Sequence, residues 1–379
     1  MAMSERRVTR RGFLLTLSAG AATTILAACG GSMTPTIAPT AAPAAAPTVA
    51  ATAAATRAAT TAAAAPITVS ATSTVASVAT RAASPVVSAS PATSVTRAAS
   101  PVAVATARQI AVAATTTHIQ DFLKNVGGNR LLVSGILKPN VDPHDYETSV
   151  QDAQTISRAE IIFVYGVGLD TFMDKAIANA NSKVPTITVT RGITPLAGDA
   201  QEPDGDPHMW FDPTLAQKMV TNIGEALAQF DPPSAVFYRQ NVQAYNAQIA
   251  QMDTQVQGIY NQIPAVDRKL VTNHDAFQYL AKHFSLNIVG AVIPSISDAA
   301  EPTAQDINDL IDTIREQQVK AIFAESSANP KVAQQVAQET GIKIVDNLYG
   351  DTLGAPGSDG DTYLKMMVAD ATTIVTALK

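Results

Sequence analysis

From about residue 108 onward, short runs of β-branched and aliphatic residues alternate with stretches whose apolar positions recur at helical spacing. Such alternation predicts βα units and parallel sheets. The candidate strands are 109–114 (QIAVAA), 131–136 (LLVSGI), 161–165 (IIFVY) and 186–189 (TITV), then 269–273 (KLVTN), 287–292 (NIVGAV), 320–325 (KAIFAE) and 342–346 (IKIVD). They fall into two sets of four with a long helical region between. Asp212-Pro213 offers an N-cap followed by proline at the first helical position, which predicts a helix to about Ala228. Over 234–263, Tyr238, Val242, Tyr245, Ile249, Met252, Val256, Ile259 and Ile263 advance in steps of four and three, one apolar stripe about eight turns long. Gln and Asn flank it where a coiled coil would place charges, so the expectation is a rigid helix packed on two lobes. The fold class that follows is α/β: two lobes, each a four-stranded mainly parallel sheet flanked by helices. The expected boundaries are 108–232 and 265–379 for the lobes and 233–264 for the connecting helix.

Composition changes the picture at the N-terminus. Residues 1–28 read as an export signal: four arginines precede an apolar run from Gly12 to Ala28 that is short for a membrane span, and Thr9-Arg10-Arg11-Gly12-Phe13-Leu14 resembles a twin-arginine address. Leu26-Ala27-Ala28-Cys29 resembles a bacterial lipobox, which would put a lipid on Cys29 and anchor the exported chain on the outer face of the cytoplasmic membrane. Residues 29–107 consist mostly of Ala, Thr, Ser, Pro and Val, with Thr-Arg-Ala-Ala-Ser-Pro-Val at both 80–86 and 96–102, and read as a disordered tether. Cys29 is the only cysteine, so no internal disulfide forms and any metal site uses nitrogen and oxygen donors. The leader contributes +3 and the tether +3 against a total of −6, leaving the folded part near −12. That argues against nucleic acid and suits a cationic ligand.

Ligands of open parallel sheets bind beyond the carboxyl ends of the strands. His144 in "VDPHDYE" follows the second strand, His208 in "DGDPHMWFDP" the fourth and His274 in "VTNHDAF" the fifth, while Asp351 in "LYGDTLG" follows the eighth. Three neutral imidazoles and one carboxylate make a complete set for a tetrahedral divalent cation. Proline before His144 and before His208 stiffens each loop in advance. With ordinary histidines, protonation near pH 6 is expected to weaken binding.

The stretches "DPHDYE", "DPHMWFDP", "NHDAFQYLAKHF", "EPTAQDINDLIDTIREQQVKAIFAE", "LYGDTLG" and "DTYLKMM", in this order, resemble the metal-binding solute-binding lipoproteins of zinc/manganese ABC importers, the ZnuA/TroA-like family. The resemblance covers roughly 108–379. It implies two α/β lobes joined by a long helix, one metal between them held by His144, His208, His274 and Asp351, and a separate ABC permease and ATPase as partners of a monomeric chain. Where the family's first motif commonly continues with proline, Thr148 and Ser149 stand here and suit the N-cap of the next helix. Many zinc-uptake members carry a histidine-rich loop before the second motif; here that place holds "GDAQEPDGDPH". Manganese members often have glutamate at the third ligand, and a third nitrogen donor at His274 favours Zn2+, with Mn2+ the alternative.

Other candidates have plainer readings. Glu325 ends the seventh strand and is a candidate partner behind a ligand imidazole. Glu202, Asp204 and Asp206 read as a solvated acidic loop, with a low-affinity antechamber for cations as the functional alternative. His118 reads as a polar residue at a helix start, His283 as a structural imidazole near a helix C-terminus, and Trp210 as packing. A secreted zinc hydrolase is the rival activity, but four protein ligands would close the shell, and neither H-E-x-x-H nor G-x-S-x-G occurs. A surface adhesin with an incidental metal is the third reading.

Overall fold

The structure is a computed structural model and describes residues 108–180 and 183–379. The expected signal, Cys29 and the tether lie outside the described residues. Two four-stranded sheets, all parallel, share one topology. In the first, β1 (Ile110–Ala114), β2 (Leu131–Gly135), β3 (Ile161–Val164) and β4 (Thr186–Thr188) lie in the order β2-β1-β3-β4. In the second, β5 (Lys269–Thr272), β6 (Asn287–Ala291), β7 (Ala321–Glu325) and β8 (Lys343–Leu348) repeat it as β6-β5-β7-β8. All eight expected strands form, each within a few residues of its expected span.

Helices cover both faces of each sheet, which is why the inner strands β1, β3, β5 and β7 are buried nearly throughout. In β3, Ile161 and Phe163 face a large central core while Ile162 faces an outer one shared with α2 (Val150–Arg158) and α3 (Phe172–Asn179). In β7, Ala321 and Phe323 face the same central core; Ile322 and Ala324 face an outer one with α7 (Ala304–Gln317) and α8 (Lys331–Thr340). The central core is therefore common to both lobes. It is filled by α1 (Thr117–Gly127), α4 (Pro213–Phe230), α5 (Ala235–Tyr260), α6 (Gln278–Phe284) and α9 (Tyr363–Leu378).

The long helix is α5, 26 residues and about 39 Å. Its buried stripe is Tyr238, Val242, Tyr245, Ile249, Met252, Val256 and Tyr260. The last step is thus four residues, to Tyr260, rather than three to Ile259, which is only partly buried; Ile263 is buried but lies past the helix end. Gly224 of α4 lets the two helices close, since a Cβ there would overlap Val242 Cγ2. The connector does not act alone. After β8 the chain returns as α9, which packs along α5 and touches α1. Asp121 of α1 accepts from Tyr245 Oη (2.7 Å) and from the Tyr363 amide (3.2 Å), tying the three helices together.

Asp212 caps α4 with Pro213 in its first turn, as expected. Ser149 caps α2 in a reciprocal capping box with Asp152.

Candidate metal centre

The loops after β2, β4, β5 and β8 meet between the sheets and bring His144, His208, His274 and Asp351 together, with one donor atom from each within 4.8 Å of all the others. Each loop is locally forced. In both Asp-Pro-His triplets the aspartate Oδ1 accepts the histidine amide two residues on, Asp142 from His144 (2.8 Å) and Asp206 from His208 (2.9 Å). Two tyrosine hydroxyls then fasten the second triplet through carbonyls, Tyr279 to Asp206 (2.9 Å) and Tyr165 to Pro207 (2.7 Å), and a third, Tyr363, holds Trp210 just beyond it (2.8 Å). Thr272 Oγ1 donates to the His274 carbonyl (2.7 Å) at the end of β5. Gly350 brings Asp351 in, because a Cβ there would overlap Glu325 Oε2, the oxygen that accepts the Asp351 amide (3.2 Å).

All three rings turn the same way. Each Nε2 faces Asp351: His208 Nε2 is 3.0 Å from Oδ1, and His274 and His144 Nε2 are 3.6 and 3.7 Å from Oδ2. His208 and His274 Nε2 are 3.4 Å apart. Each Nδ1 faces a different carboxylate: Glu202 at 3.1 Å from His144, Asp206 at 2.8 Å from His208 and Glu325 at 2.9 Å from His274. An Nδ1–H held on a carboxylate, as for His144 and His208, leaves the Nε2 lone pair directed at the centre and raises its basicity; Glu325 stands beside His274 Nδ1 as a charge partner. A tetrahedral ion with bonds of 2.0–2.1 Å has donor–donor edges of about 3.3–3.4 Å; the His208–His274 Nε2 separation of 3.4 Å matches one such edge, and the Nε2–Asp351 distances of 3.0–3.7 Å lie to either side of it. The four side chains are at most 1% exposed, and among the described residues His144 Nε2 has no hydrogen-bond partner.

Charge is concentrated here. Burial opposes protonation of His208, but Asp351 and Asp206 outweigh it and lift its pKa well above the usual value. For His274, burial is likewise overcome by Glu325 and Asp351, and the value rises to about 9. Burial would raise Asp351, yet His208 and His274 hold it far below the usual carboxylate range. The proton competition expected near pH 6 is therefore shifted upward by the carboxylates around the rings.

Residues 112–377 match the family described as zinc-uptake complex component A, periplasmic. The chain belongs to this family. Among relatives of this zinc-uptake component family, the iron-binding protein YfeA of Yersinia pestis is 34% identical over 271 residues, which is 71% of this chain and 86% of that protein. The manganese ABC transporter substrate-binding lipoprotein PsaA of Streptococcus mitis is 29% identical over 271 residues, 69% of this chain and 87% of its own length. Of solved structures, the periplasmic zinc-binding protein TroA from Treponema pallidum superposes with a TM-score of 0.67 at 28% identity, covering 71% of this chain and 99% of that one.

The acidic loop departs from its sequence reading. Asp204 is exposed, but Glu202 and Asp206 are buried and each stands behind an imidazole. The repeated Asp-Pro-His turn was the one available signal for Asp206; nothing in the spacing links Glu202 to His144, 58 residues away. His118 does start α1, yet it is fully buried, stacked on Trp210 with ring centroids 4.6 Å apart, and burial drives its pKa down to about 3. Trp210 is packing, as expected, and meets His208 edge-on at 5.3 Å. His283 is structural: its two ring nitrogens face Asp212 (3.2 Å) and Asp253 (2.8 Å).

Proposed function

We propose that this chain is the substrate-binding component of a metal ABC importer, capturing one divalent transition-metal ion between its lobes through His144, His208, His274 and Asp351. The observation that carries the reading is the convergence of three Nε2 atoms on one carboxylate at separations of 3.0–3.7 Å, from loops of both sheets. Zn2+ is the favoured cargo, because three nitrogen donors and a carboxylate at tetrahedral spacing suit it. Mn2+ is the alternative, since the manganese transporter component of Streptococcus mitis is similar over most of its length. Four protein donors leave no open coordination position for a hydrolytic water, so the chain holds the ion without transforming it. Export through residues 1–28 and lipidation at Cys29 would place it on the outer face of the cytoplasmic membrane, in keeping with relatives described as lipoproteins of such transporters. The ion would pass to a separate permease driven by a separate ATPase.

Elemental analysis of the purified chain, followed by competition between Zn2+ and Mn2+, tests the cargo. Titrating Zn2+ into metal-free protein should change Trp210 fluorescence with one-to-one stoichiometry, since the indole lies against His208. His208→Ala should abolish tight binding. Unchanged affinity in that variant removes His208 from the site.

A further inference from the structure

The segment between β4 and His208 folds back on itself as a small loop, closed at its base by an antiparallel bridge between Leu196 and Asp206. It belongs to the first lobe by sequence but is fastened to the second at two places. At the base, Tyr279 of α6 accepts from the Leu196 amide (2.7 Å) and donates to the Asp206 carbonyl (2.9 Å). At the tip, Asp199 Oδ2 accepts from Ser295 Oγ (3.0 Å) and the Ile296 amide (2.8 Å), in the loop after β6. The other oxygen, Oδ1, faces inward and accepts from the amides of Gln201 (2.9 Å) and Glu202 (2.8 Å). One carboxylate thus joins the second lobe to the backbone of the residue whose side chain holds His144 Nδ1 at 3.1 Å. Despite some burial, these donors hold Asp199 below the usual carboxylate range, so it is charged at neutral pH.

We infer that residues 196–206 form a strap across the cleft and that Asp199 is a positioning residue for metal retention, setting how fast the bound ion leaves. This rests on the proposed metal-binding role. Asp199 touches none of the four candidate ligands. Its bonds to Ser295 and Ile296 exist only while the lobes are apposed, and the same side chain fixes Glu202, so opening the cleft and freeing His144 from its carboxylate become one event. An imidazole that loses such a partner loses both orientation and basicity, typically a tenfold to hundredfold effect on metal affinity. Because the strap acts after the ion is seated, the effect falls on dissociation.

The test follows release from the metal-loaded full chain, using whichever of Zn2+ and Mn2+ it binds more tightly, into excess chelator. Asp199→Ala should release the ion about tenfold faster than the parent with association little changed, while the metal-free form keeps its thermal midpoint. Asp199→Asn retains one acceptor oxygen of two and should fall between them. Ser295→Ala, which removes one of the two cross-lobe donors and leaves the Glu202 side intact, should accelerate release less than Asp199→Ala. A release rate for Asp199→Ala indistinguishable from the parent overturns the strap, as does acceleration matched by equal destabilisation of the metal-free protein, which would make Asp199 a fold residue only. A parent chain that takes up neither ion overturns the functional reading itself, and the strap with it.

Discussion

His274 is protonated at neutral pH when no ion is bound, because Glu325 and Asp351 more than offset the effect of burial and lift its pKa to about 9. His208 is shifted in the same direction. A metal ion needs the Nε2 lone pair, so binding must expel protons. Calorimetric titration of Zn2+ at pH 7.5 in buffers of different ionisation enthalpy should show release of about one to two protons per ion. Apparent affinity should climb as pH rises toward about 9, where His274 gives up its proton unaided. Equal heats in all buffers would mean the rings are already neutral. That ordinary histidine values suggest a window near pH 6 shows where reading the chain alone stops. The three histidines are legible because the chain has only five and each of these lies in a loop that follows a strand, as Asp351 does after β8. Of their carboxylate partners, Glu325 is legible from its place at the end of the seventh strand, whereas Glu202 and Asp206 are not, because they sit among glycine, proline and other acids, a composition that also describes a solvated loop.

At the scale of elements, burial on both faces makes the inner strands β1, β3, β5 and β7 conspicuous as apolar runs, and the α5 stripe is conspicuous because it repeats for most of its 26 residues. The one misplaced step, Ile259 for Tyr260, arises because a run of three-and-four spacings has no unique continuation, and the packing of Tyr260 on Phe284 of α6 decides it, with ring centroids 5.3 Å apart. Less legible is how closely two helices approach. Gly224 lies mid-helix, where glycine costs about 1 kcal/mol relative to alanine, so propensity alone would count Gly224→Ala as an improvement. A Cβ there would meet Val242, itself buried in the α4–α5 seam. Overpacking of this kind costs about 1–3 kcal/mol. Urea unfolding of Gly224→Ala should therefore show a net loss of stability, with metal stoichiometry intact because α4 and α5 supply no donor. A gain in stability would show that the helices can separate freely.

Across the whole molecule, contacts between segments far apart in sequence decide how the lobes are held, and these leave little trace in the chain: α9 doubling back along α5, the strap reaching Ser295, and His283. That histidine reads as an imidazole at a helix C-terminus, and it does occupy the last turn of α6. Its partners, however, are Asp212, which caps α4, and Asp253 on α5, so it pins the second lobe to the connector and to the start of α4. Asp212 leads the effects that raise its pKa to about 9, burial opposing and Asp253 adding. Below pH 6.5 the imidazole is charged in folded and unfolded chains alike, and its full contribution is present. Between 6.5 and 9 the unfolded chain has lost the proton while the folded one retains it, and the contribution drains away as pH rises. With the ring about one-fifth exposed, solvent screening trims the benefit to about 1–2 kcal/mol. His208 and His274 titrate with the same sign in metal-free protein, so the parent's own profile does not isolate the bridge. The stability difference between parent and His283→Gln does: it should be about 1–2 kcal/mol at pH 6 and shrink steadily toward pH 9.5. A difference independent of pH would mean that His283 contributes by packing against Phe284 rather than by charge.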